Sequence, residues 1–177
     1  MKELVKAILR FVCTPWRKQR QKRDGVLEQT ARKEYPNDAL LGLVCRKMQE
    51  QGNDATIIVK GYSMRPFLEH ERDKVVLTPV ARPLRVADAV LAEIEPGHYV
   101  LHRIIKLEGE HVTLMGDGNI RGTEHCMVKD VRALVTHYVR PRRTLPASDP
   151  KLQRRIRLWR KLLPIRRYLL LIYKSTI

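Results

Sequence analysis

Between residues 55 and 139 short apolar, β-branched runs alternate with Gly, Pro or paired charges, at 55–60, 74–77, 89–94, 99–107, 112–115 and 131–139. Runs this short, rich in Val, Ile and Thr and set close together, predict strands of a small, mostly antiparallel sheet. Glu108-Gly109-Glu110 predicts a hairpin turn between two of them. On either side the period changes. Leu4, Ile8, Phe11 and Val12 recur at helical spacing until Pro15, and Pro36-Asn37-Asp38 offers a turn and cap for a short helix over 39–48 that ends near Gly52. After Pro141, residues 144–150 read as a linker whose Ser148 or Asp149 can cap a helix beginning at 151. Over 151–174, Leu152, Ile156, Trp159, Leu162, Leu163 and 169–172 fall three and four apart, with Pro164 interrupting the helix. The pattern predicts a mainly β (α+β) chain in three parts: a basic helical segment 1–54, an antiparallel β domain 55–140, and a linker with a basic amphipathic helix 141–177.

Charge sharpens this picture. The 177 residues include 35 Lys and Arg against 19 Asp and Glu, a formal net charge of +16, and such a field attracts phosphate on lipid or nucleic acid. The excess sits at the two ends, around 17–23 and from Arg140 to Arg167, while the middle is nearly balanced. Trp16 and Trp159 stand among arginines, as in helices that lie on an anionic membrane face. Packing of the C-terminal apolar face on the β domain, or on a second copy, is the competing expectation. Nucleic acid is less expected, since no helix-turn-helix is evident before residue 55 and aromatic residues are few.

No run approaches the ~20 apolar residues needed to span a bilayer. Lys6 and Arg10 interrupt the start in a way a secretory signal does not tolerate, so the expected location is cytoplasmic or peripheral on a membrane. Cys13, Cys45 and Cys126 are odd in number and widely spaced, which predicts free thiols. The histidines follow no metal-ligand spacing, and neither metal nor cofactor is expected.

Three segments carry chemistry. Ser63-Met64-Arg65-Pro66 comes after the first predicted strand, His102-Arg103-Ile104 lies within a later one, and Gly116-Asp117-Gly118-Asn119 comes after the hairpin. In this order they resemble the Ser-Met-x-Pro, His-Arg-hydrophobic and Gly-Asp-x-Asn boxes of the signal-peptidase superfamily, in its archaeal and endoplasmic-reticulum branch. The resemblance covers about residues 56–140. Asp73 and Asp88, each before a hydrophobic strand start, resemble the family's repeated Gly-Asp starts with the Gly replaced.

The resemblance implies a serine endopeptidase that cleaves a leader or signal-like peptide in extended conformation. Ser63 would be the nucleophile and His102 the general base, because a serine hydroxyl needs a base in reach to lose its proton on attack. Ser63 would also donate its N–H to the oxyanion, with Pro66 stiffening the loop and Met64 packed beneath it. A third group must hold the imidazole in the right tautomer. Asp117 is favoured, with Glu124 close behind because the family's later Asp-Asp pair is missing. By the period of two, Lys106 shares a strand face with His102 and is the fallback base. The family's usual transmembrane anchor is missing too. The rival reading is a catalytically silent relative that binds membrane or nucleic acid. Substrate identity, cleavage in cis or in trans, and oligomeric state stay open.

Overall fold

The computed structural model describes residues 37–176; the basic helix expected before them lies outside this range. Eight strands form one antiparallel sheet: β1 (Ala55–Ile58), β2 (Lys74–Thr78), β3 (Ala89–Glu95), β4 (His98–Glu108), β5 (His111–Met115), β6 (Glu124–Met127), β7 (Val131–Arg140) and β8 (Arg143–Pro146). Their order is β1-β2-β7-β3-β4-β5-β6, with β8 paired to β7. Helix α1 (Asn37–Gln51) precedes the sheet; α2 (Pro150–Lys161) and α3 (Arg166–Thr176) come after it, joined by a 3-10 turn at Leu163–Ile165. The fold is α+β and mainly β, as the hydrophobic pattern predicts. Among the described residues no helix is long and apolar enough to cross a membrane.

β7 is the hub of the sheet. One edge pairs with β2 over 134–139, while the other serves β3 at its start and β8 at its end. Its alternation shows how the two faces are filled, since successive side chains of a strand point to opposite sides. Ala133 and Val135 join the larger core with α1, α2 and α3, whereas Leu134 joins a smaller cluster on the other side with Val90, Ile104 and Leu114. β3 is buried on both faces in the same way, through Ala89 and Leu91 on one and Val90 and Ala92 on the other.

The segment expected as linker and helix is built into this body. Residues 143–146 form β8 rather than linker, and Asp149 caps α2 by accepting from the Leu152 N–H at 2.8 Å. Leu152, Ile156 and Trp159, on one stripe of α2, are buried with Leu169, Leu170 and Tyr173 of α3. Trp159 is fully covered, so it is a core residue and not a membrane anchor. Cys45 is buried and Cys126 half-buried, and burial pushes each thiol up to about 11, which keeps both protonated at neutral pH.

Ala87, two residues before β3, has φ +82°, a backbone region that disfavours any residue with a Cβ. Ala87→Gly should therefore stabilise the fold by up to about 1 kcal/mol. Ala89→Gly, two residues on in an ordinary strand, should cost about 1 kcal/mol. Urea unfolding midpoints of the two variants test this, and an equal loss in both would overturn it.

Candidate active site

The loop that carries Ser63 is closed at its base and rooted in the core. Val59 donates its N–H to the Asp73 carbonyl at 2.9 Å, and Glu71 returns one to the Val59 carbonyl at 2.8 Å. The buried Asp73 carboxylate accepts from the Glu69 N–H at 2.9 Å and from Arg72. Met64, Phe67 and Leu68 are buried, which fixes the loop from below. Glu69 ties its far side down by accepting from Arg65 Nε at 3.0 Å and from the Tyr173 hydroxyl of α3 at 2.6 Å. Ser63 itself stays half-exposed above Met64.

The turn after β5 presses on this loop from the side. Gly118 donates its N–H to the Ser63 carbonyl at 2.6 Å. A Cβ at Gly116 would lie 2.5 Å from the Ser63 carbonyl oxygen and 3.0 Å from Ser63 Cβ, and one at Gly118 would lie 2.6 Å from the Tyr62 carbonyl oxygen. Both glycines are there because two backbones meet without room for a side chain.

His102 sits in the middle of β4, opposite Val90 of β3, with 6% of its surface exposed. Its Nδ1 lies 2.9 Å from Glu124 Oε2. Glu124 opens β6, which reaches His102 by pairing with β5 in the register Leu114↔Glu124. A carboxylate on Nδ1 fixes the neutral tautomer that leaves Nε2 as the acceptor. His102 and Ser63 line one cleft of about 150 Å³ between β1, α1 and β4, walled by Leu41, Ile57, Met64 and Leu101 among others. Among the described residues no hydrogen bond joins the two side chains.

Asp117, the favoured orienting acid, is engaged elsewhere. It is buried and accepts from Arg103 Nε at 2.8 and 3.0 Å and again from Nη2. Arg103 is the next residue of the strand after His102, so it points to the opposite face and carries Asp117 away from the imidazole. Burial by itself would lower the Arg103 pKa, but the charges and hydrogen bonds of Asp117 and Tyr138 together outweigh it and drive the guanidinium further up. Lys106 also leaves the site. β4 slips register against β5 between Ile104 and Lys106, which breaks the period of two and turns Lys106 to solvent, where it pairs with Glu108 at 2.8 Å.

Pro66 is buried beneath the loop with Met64. His70 accepts from the Gly61 N–H at 3.0 Å at the loop's stem, and His98 pairs with Asp38 at 3.2 Å. Among the described residues no group of three or more His, Cys, Asp or Glu is placed to hold a metal ion. Against known proteins, no family model matches the chain, and no curated protein is similar to it in sequence.

The two carboxylates should differ sharply on substitution. Asp117→Asn strips the partner from a buried guanidinium and should cost about 3–5 kcal/mol. Glu124→Gln, at a partly exposed position, should cost about 1 kcal/mol or less. Denaturant unfolding of both variants checks this, and equal losses would sink the division of labour.

Proposed function

We propose that the chain is a serine endopeptidase in which Ser63 is the nucleophile, His102 the general base and Glu124 the residue that orients the imidazole. The observation that carries this reading is the Glu124–His102 contact of 2.9 Å beside the cleft that His102 shares with Ser63. The order of the three boxes in the sequence supports it as well.

Ser63 Oγ would attack the scissile carbonyl carbon while its proton passes to His102 Nε2. Glu124 stabilises the imidazolium that forms, without itself taking the proton. The Ser63 N–H, which makes no hydrogen bond among the described residues, is free to meet the oxyanion. His102 then protonates the leaving amine, and water admitted to the acyl-enzyme completes hydrolysis with His102 again as base. Ser63→Ala removes the attacking atom and His102→Ala its proton acceptor.

The cleft bounds the substrate. At about 150 Å³ it is well below the volume of a drug-sized pocket and suits one or two small side chains. β1 is an edge strand of the sheet, half-buried on alternate residues, and can accept an extended peptide as a further strand. An extended leader or signal-like peptide with small residues before the cut fits these limits.

A serine-directed phosphonate probe should label the protein at Ser63, mapped by mass spectrometry. Ser63→Ala and His102→Ala should abolish labelling, Glu124→Gln should slow it by about 10²- to 10⁴-fold, and Lys106→Ala should leave it unchanged. A folded protein that stays unlabelled from pH 5 to 9 would overturn the reading in favour of a binding module.

A further inference from the structure

From residue 150 to the end the chain carries nine Lys and Arg and no Asp or Glu. Folding divides this segment into two faces. The apolar stripe of α2 and α3 is spent on the core through Ile156, Trp159 and Leu169, while Lys151, Arg154, Arg157 and Lys161 of α2 and Arg167 and Lys174 of α3 are exposed. No salt bridge joins any of these six to a carboxylate among the described residues, whereas Arg65, Arg72, Arg82, Arg103 and Arg132 each have one. Among the described residues the charge on this hairpin is left without a carboxylate partner.

The elbow between the helices adds a second, different feature. Leu163, Pro164 and Ile165 protrude where α2 ends, with Leu163 at 37% and Ile165 at 40% exposure, between Lys161 and Arg167. Tyr168 and Leu171, one turn apart on α3, are 64% and 57% exposed. Solvent-facing Leu and Ile bracketed by cations are the composition of an interfacial helix, whose apolar side chains enter the acyl boundary while Lys and Arg meet the headgroups. A phosphate backbone would satisfy the cations but gives no place to Leu163, Ile165 and Leu171.

We propose that the α2–α3 elbow docks on an anionic lipid bilayer, inserting Leu163, Ile165 and Leu171 with Tyr168 at headgroup level, while Arg154, Arg157, Lys161 and Arg167 hold the anionic headgroups. The surface is independent of the cleft chemistry, since none of its residues lines the cleft.

The test is co-sedimentation of the full chain with vesicles of phosphatidylcholine alone or with 30% phosphatidylserine, a composition chosen as roughly that of an anionic leaflet. Binding is expected only to the anionic vesicles, falling steeply with salt. Arg154→Glu/Arg157→Glu/Lys161→Glu should lower it by about fivefold or more per charge. Leu163→Ser/Ile165→Ser/Leu171→Ser, at exposed positions and with the circular dichroism spectrum unchanged, should lower it at least tenfold while leaving salt-sensitive binding to duplex DNA, if there is any, as it was. Failure to bind anionic vesicles at low salt would overturn the proposal. So would vesicle binding indifferent to the apolar triple variant, and a DNA affinity exceeding that for lipid would reassign the surface to nucleic acid.

Discussion

The buried pair Arg103–Asp117 is the point on which the structure turns. A guanidinium and a carboxylate can leave water together only if their remaining hydrogen-bonding groups are met, and here they are. Arg103 Nη1 donates to the Ala87 carbonyl at 2.8 Å, and the Tyr138 hydroxyl stands 3.5 Å from Nη2. Arg103 also stacks toward the Phe67 ring at 5.6 Å. One arginine thereby joins β4, the start of β3, β7, the Ser63 loop and the turn after β5. The carbonyl of Asp117 extends the network, accepting from Trp159 Nε1 at 2.8 Å, and the Asn119 carbonyl accepts from Arg166 at 3.0 Å. The C-terminal hairpin is fastened to the turn that presses on Ser63.

In the mechanism we propose, this pair also decides how the chemistry is distributed. Because β4 alternates, His102 and Arg103 serve opposite sides of one strand, and each needs its own acid. Asp117 is consumed in holding the frame, so the orienting group for the imidazole has to come from another element, and β6 supplies Glu124. A carboxylate that holds a fully buried arginine and one that would orient the proposed catalytic imidazole have incompatible duties. The first is fixed in the frame, whereas the second, in the proposed mechanism, would stabilise a proton arriving on the far side of the ring.

Much of this is legible in the sequence, and the exceptions share a cause. The six strands with β-branched alternation are readable to within a residue or two, because their pattern encodes the two buried faces directly. Glu124–Met127 has no such pattern; Glu-His-Cys-Met becomes a strand only through its pairing with β5, and that pairing is what brings Glu124 to His102. Arg143–Pro146 likewise reads as a linker and is a strand by courtesy of β7. Lys106 leaves the face that a strict period of two assigns to it, since a bulge is invisible to that period. Ser63 and His102 can be singled out from their boxes, but what Asp117 does cannot, since its partner is set by which way Arg103 points.

The hairpin shows why amphipathicity alone does not separate packing from membrane binding. A helix with one apolar stripe has a single face to bury, and α2 buries it in the core, with Trp159 at its centre. Were that the whole of it, the surface would be only charged, and charge does not tell a lipid headgroup from a nucleic-acid phosphate. Pro164 changes the outcome: by ending α2 it forces a 3-10 turn whose side chains belong to neither helical stripe, and these cannot all reach the core. Leu163 and Ile165 are exposed for that reason. The distinguishing surface is therefore made by the break in the helix pattern, which takes Leu163 out of the apolar stripe to which the helical period assigns it.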